Sequence, residues 1–157
     1  MNLESWLTPE NIYISTFVLC FISGFLPIVN AELVVIAAAA MSGENMIVPI
    51  AILSAVGQML AKAILYLAGR GVLNIPMGKY EEKLTQWEEK FKNWQGIKTD
   101  LFIFLSASVG FPPFYVISIL AGMFKLNFLR FFLSGTLGRT VRFGILAFFP
   151  QLIKAAV

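Results

Sequence analysis

The sequence predicts an all-α integral membrane fold of two inverted repeats. Each repeat is a re-entrant broken-helix hairpin followed by a transmembrane helix, and an amphipathic interfacial helix joins them. Three observations predict it. Apolar residues make up 58% of the 157 residues and charged residues 13%, against about 45–50% and about 25% in soluble domains. Two long apolar stretches are broken by proline near their middles. A single hydrophilic region, between the two halves, carries half of the 12 Lys and Arg residues. The length leaves room for one membrane domain, 1–157, with repeat one at about 9–70, an amphipathic linker at 71–99 and repeat two at about 100–150.

Thr8-Pro9-Glu10 has the composition of a helix start, with an N-cap, a first-turn proline and an acid at the positive dipole end. The apolar stretch Ile12–Met41 would measure about 45 Å as one helix, well beyond a hydrocarbon core of about 30 Å. Pro27 and Asn30 interrupt it and Glu32 follows. The stretch therefore reads as two half-helices of about 11 to 15 residues, a re-entrant hairpin whose broken backbone is tolerable at depth only where protein or water covers it. A polar tip, Ser42-Gly43-Glu44-Asn45, precedes the stretch from Val48 to Gly69, which is long enough to span. Its one charge is Lys62, a helical turn after Gln58.

In the linker, Tyr80, Leu84, Trp87, Phe91 and Trp94 recur at spacings of 4, 3, 4 and 3. That is one apolar stripe on a helix with Lys and Glu opposite. Aromatics crowd a coiled-coil seam, so the stripe suits a helix lying in the membrane interface better. The second half repeats the plan. Leu101–Phe124 is broken at Gly110-Phe111-Pro112-Pro113, a tip holds Lys125 and Asn127, and a helix is expected from about Phe128 to Phe149. Short echoes keep the same order in both halves: Phe21-Ile22-Ser23 with Phe104-Leu105-Ser106, Ala39-Ala40-Met41 with Ala121-Gly122-Met123, and the segment from Leu53 with that from Leu133. Duplicated units with broken helices are a pattern of transporters. The basic residues of the central loop, from Arg70 to Lys98, place that loop in the cytoplasm, and Lys154 alone is out of place.

Composition excludes several chemistries. The chain has no His and one cysteine, so an intrachain disulfide, the common zinc sites and His-dependent triads are ruled out. Cys20 lies in apolar sequence, where it reads as a packed residue. The basic residues form no solvated patch of the kind nucleic acid needs. The first 61 residues contain no Lys or Arg, so no signal-peptide n-region is expected. No enzyme activity, cofactor or metal is expected, since the one deep carboxylate has no acid–base partner.

Glu32, Lys62, Arg139 and Arg142 sit at membrane depth, one negative and three positive, a net +2. Buried charge usually lines a cavity or pathway, and this balance suits an anionic, phosphate-bearing ligand. Arg139 and Arg142 share a helix face with Gly135 and Gly138, and the functional reading is a guanidinium pair that binds phosphate bidentately. The structural alternative is that one arginine neutralises Glu32 while the other caps the broken hairpin's carbonyls. Glu32 reads either as a carboxylate favoured by a helix N-terminus or as a proton carrier or gate. Lys62 faces substrate or Glu32, and Asn30 and Gln58 are secondary binding candidates. Pro27, Pro112 and Pro113 are structural breaks.

Pro27 with Glu32, then Gly57-Gln58-Met59-Leu60-Ala61-Lys62 and Tyr66-Leu67-Ala68-Gly69-Arg70, resemble the DedA family, also called the VTT or SNARE-associated domain. Pro112-Pro113, Ala121-Gly122-Met123, Phe131-Phe132 and Gly138 resemble its second hairpin and span. The resemblance covers roughly residues 20 to 150 and marks a small, divergent member. The family usually has an acid four positions before the tyrosine, where Lys62 stands, and arginines about the second hairpin's proline, which Pro112 lacks. The resemblance implies a flippase or scramblase that moves a polyprenyl phosphate or phospholipid. It also implies a multi-pass protein of a bacterial or archaeal inner membrane. The expected partners are anionic lipids, with or without homo-oligomers and without nucleic acid. The departures weaken the family's usual proton-coupling pair. The rival readings are an ion- or proton-coupled transporter of a small polar solute, and a membrane-embedded scaffold or assembly factor.

Overall fold

Sequence polarity decides where the helices stop. The computed structural model describes residues 11–26, 29–71, 86 and 96–156. Among these residues the chain is all-helical, with six α-helices and no strand. They are α1 (Ile12–Phe25), α2 (Ala31–Met41), α3 (Ile47–Gly69), α4 (Ile97–Val109), α5 (Phe114–Met123) and α6 (Phe128–Ala156). Their lengths run 14, 11, 23, then 13, 10, 29 residues, so the order short, short, long occurs twice. The linker stripe, Pro27 and the expected start at Thr8 lie outside the described residues.

The first apolar stretch does break. Leu26 leaves α1 in extended backbone, and Asn30 opens α2 by accepting the Glu32 N–H at 2.9 Å on its side-chain oxygen. That bond satisfies one of the N–H groups a helix start leaves without a partner. A 3-10 turn at Glu44–Met46 leads into α3. Together they make Glu44–Gly69, 26 residues that include an 18-residue window of mean hydropathy 1.8 and the one helical stretch among the described residues long and apolar enough to cross a membrane.

The second stretch breaks by other means. Gly110 ends α4 at φ +85°, a left-handed turn that a Cβ would strain. The Ser106 hydroxyl reaches across the break to the Pro112 carbonyl at 2.8 Å, the Phe111–Pro112 peptide is cis, and Pro113 opens α5. Helix α6 departs from the sequence expectation by running past Phe149, through Pro150, to Ala156. Two tethers account for the extra turns. Lys154 Nζ donates to the Ala40 carbonyl at 3.0 Å and Gln151 Nε2 to that of Ala39 at 3.4 Å. Both carbonyls belong to the last turn of α2, where helix acceptors lack internal partners.

The chain divides into two compact units, Met1–Ala61 with Arg139–Val157, and Lys62–Gly138. The first holds α1, α2, the start of α3 and the end of α6. Helices α1 and α2 pack together, and Cys20, Val35, Ala38, Ala39, Ile50 and Phe143 form its core. Glycines let α3 approach α1 closely: a Cβ on Gly57 would lie 2.7 Å from the Phe17 carbonyl, and one on Gly24 would overlap the Ala61 methyl. The second unit holds the end of α3, α4, α5 and the start of α6. There Tyr66 is fully buried, stacks on Phe131 with ring centroids 5.2 Å apart, and donates its hydroxyl to the Leu126 carbonyl at 2.5 Å. The tyrosine of the Tyr-x-x-Gly-Arg segment thus anchors α3 to the turn before α6.

Candidate functional site

A polar seam crosses the apolar interior of the first unit, built from one side chain or a few on each of four helices. Arg139 and Arg142 lie one turn apart on α6, which puts both on one face. The Arg142 guanidinium pairs with the Glu32 carboxylate of α2. Arg139 donates to the side-chain oxygen of Gln58 on α3. The amide passes the polarity on, because Gln58 Nε2 donates to Ser23 Oγ at 2.9 Å and Ser23 Oγ donates to the Cys20 carbonyl at 2.7 Å. Cys20 in turn lies beside Ser54 and within electrostatic reach of Arg139.

Burial grades along this seam. The Glu32 side chain is 39% exposed and that of Arg142 25%, whereas Gln58 is 7% exposed. The ion pair therefore sits at the open end and the arginine–amide pair at the closed end. The four α-helices of this unit contain one acidic residue, Glu32, against Arg139 and Arg142 in the seam and Lys154 at its margin. Positive charge is in excess where apolar side chains surround it, which makes the site electrostatically suited to an anion.

The sequence-derived candidates distribute as follows. Glu32, Gln58, Arg139 and Arg142 come together in the seam. Asn30 is engaged at the backbone of α2 as its N-cap. Lys62 is buried one turn beyond Gln58 on α3, in the second compact unit. Pro112 and Pro113 lie in the break between α4 and α5, and Pro27 is outside the described residues. The seam also holds Ser23, which the sequence marks only as part of the Phe21-Ile22-Ser23 echo. A single hydroxyl on an apolar helix is ordinary, since it can bond its own helix backbone, so nothing local announces its bond to Gln58. Among the described residues no group of His, Cys, Asp or Glu could hold a metal ion.

A family model described as the VTT domain matches residues 26–152. No curated protein and no solved structure matches the chain.

Proposed function

The chain belongs to the VTT-domain family, a family of membrane proteins, and from that premise we propose that it translocates an anionic, phosphate-bearing lipid across the bilayer. The observation that carries the reading is the seam: two guanidinium groups on one face of α6, one meeting a carboxylate and the other a neutral amide. A phosphate can replace the Gln58 oxygen at Arg139 with a charged acceptor, and a guanidinium grips phosphate bidentately. Glu32 then acts as a gate, because its exchange of Arg142 for solvent frees a second fork as the head group passes. No bond is made or broken, so the activity is transport and not catalysis.

The same reading takes the two broken hairpins as re-entrant and the two short-short-long sets as inverted repeats, in a multi-pass protein of a prokaryotic inner membrane with its central loop cytoplasmic. The division into units supports it. Each unit combines one hairpin with the beginning of one long helix and the end of the other, so the two units are alike in the kinds of element they hold, as duplicated halves would be. Lipid is the partner throughout, and a homo-oligomer is compatible with it.

Reconstitution tests the proposal. Arg139→Ala with Arg142→Ala is expected to abolish lipid translocation in vesicles while the protein still inserts and folds. Arg→Lys at both is expected to restore only part of the rate, since an ammonium is a point charge. Translocation by the double alanine variant at the wild-type rate refutes the phosphate role. Lost assembly with unchanged transport per folded molecule would favour a scaffold.

A further inference from the structure

The hydrogen bonds of the seam have a polarity that is fixed from one end. A guanidinium carries donors and no acceptor, so Arg139 must meet the oxygen of the Gln58 amide. That leaves Nε2 on the α1 side, where it donates to Ser23 Oγ at 2.9 Å. The Ser23 hydroxyl, having accepted there, gives its one proton to the Cys20 carbonyl at 2.7 Å. Gln58 is 7% exposed, so both ends of its amide depend on protein partners and not on bulk water. We propose that Ser23 and Gln58 form a reversible relay: when a phosphate takes Arg139, the Gln58 amide turns over and binds that phosphate as a donor beside the guanidinium. This inference rests on the phosphate reading of the seam.

Three features carry it. A phosphate on Arg139 displaces the Gln58 oxygen, and an amide oxygen left facing an anion is repelled, since it can only accept. Half a turn about the last side-chain bond exchanges Oε1 with Nε2, which have nearly the same shape, and that torsion is broad and roughly twofold. The turned amide points an N–H at the phosphate and its oxygen at Ser23. Ser23 suits either orientation, because a hydroxyl both accepts and donates. It accepts from Nε2 at rest and donates to Oε1 once the amide has turned. The Cys20 carbonyl that it releases loses little. Cys20 and Gly24 both lie within α1, where the helical ladder already supplies that carbonyl with a backbone donor. Every polar group of the relay is therefore paired in both states, which a buried network needs if it is to have two. Gln58 touches the head group, and Ser23 is a positioning residue that acts through it.

The chain has one cysteine, so an isotope label at the cysteine carbonyl gives a single resonance that reports on Ser23. Full-length protein with that label, and with labelled nitrogen in its glutamine and arginine side chains, would be studied by solid-state NMR in bilayers of phosphorus-free galactolipid. Saturating dioctanoyl phosphatidate is expected to move the Cys20 carbonyl signal upfield as the hydroxyl leaves it. The same probe is expected to bring the side-chain nitrogens of both Arg139 and Gln58 into dipolar contact with phosphorus, and dioctanoylglycerol to do neither. In Ser23→Ala the carbonyl signal should lie upfield from the start and ignore the probe, and Ser23→Thr should restore the response, which a merely structural serine would not produce. By calorimetry, Gln58→Met is expected to bind phosphatidate no more tightly than wild type, because it loses a donor together with a competitor. A gain of about tenfold or more, the worth of one charge-assisted bond set free, overturns the relay. Phosphorus contact at Arg139 without contact at Gln58, or a wild-type Cys20 carbonyl that ignores the probe, also overturns it and leaves the lipid-phosphate reading standing. Contact at neither residue defeats both.

Discussion

At the scale of single residues, charge in an apolar sequence is conspicuous, so Glu32, Arg139 and Arg142 stood out as candidates from composition and spacing. An arginine neutralising Glu32 was one of the readings, but not that it would be Arg142, nor that Arg139 would meet Gln58. The Arg142–Glu32 pair spans 110 positions and the Arg139–Gln58 bond 81, and nothing in local sequence says which polar group a buried arginine will meet. The pairing has an energetic consequence. Removing one partner of a partly exposed ion pair leaves the other charge less well solvated than in water, whereas removing both relieves that penalty. Arg142→Met and Glu32→Gln are each expected to lower stability, and the double variant to lose less than their sum. Because the Glu32 side chain is 39% exposed, the coupling should be about 0.5–1 kcal/mol by a double-mutant cycle, read from thermal or SDS unfolding in bilayer mimics. A coupling near zero would mean that solvent screens the pair.

At the scale of elements, the sequence foretold two short helices and a long one in each half, because a proline or a polar break in apolar sequence has few other uses. Helix ends were less legible. The extension of α6 to Ala156 depends on tethers to α2 carbonyls that no local pattern announces. Close helix approach was visible only as scattered glycines, and the structure separates those that matter from those that do not. Gly122 of α5 lies against the backbone of α3 at Tyr66 and Arg70, so that an added Cβ would collide with it. Backbone cannot yield as a flexible side chain can, and small residues are what permit such contact between helices. Gly144 of α6 has nothing within 4 Å of where its Cβ would be. Gly122→Val is therefore expected to destabilise by about 1–3 kcal/mol or more, as overpacking does. Gly144→Ala should be neutral or stabilising by up to about 1 kcal/mol, the helix-propensity difference. Melting temperatures of the two variants check this, and equal losses would contradict the assigned contact.

At the scale of the whole molecule, membrane topology follows from the direction of the two long helices. Within the first unit, Gln58 of α3 meets Arg139 of α6. The earlier α3 residues Ile47, Ile50 and Ala51 share their core with Phe143 and Ala147, farther along α6. Advancing along one helix is retreating along the other, so this part of α3 and this part of α6 run antiparallel. The twice-occurring order of short, short and long helices was legible in sequence because echoes keep their order, but a division by that order and a compact unit are different things. The former follows the chain, and the latter exchanges the ends of the long helices. If α3 and α6 each cross the bilayer in opposite directions, their starting ends emerge on opposite faces. Asn45 lies in the 3-10 turn just before α3, and Lys125 lies just before α6 at a left-handed φ of 52°. Single cysteines at Asn45 and Lys125, in a Cys20→Ser background, are therefore expected to react with an impermeant maleimide from opposite sides of sealed vesicles. Lys125 should be on the side of the basic central loop. Labelling of both from one side would refute the proposed inverted arrangement and, with it, the alternating exposure of the arginine seam on which the proposed lipid transport rests.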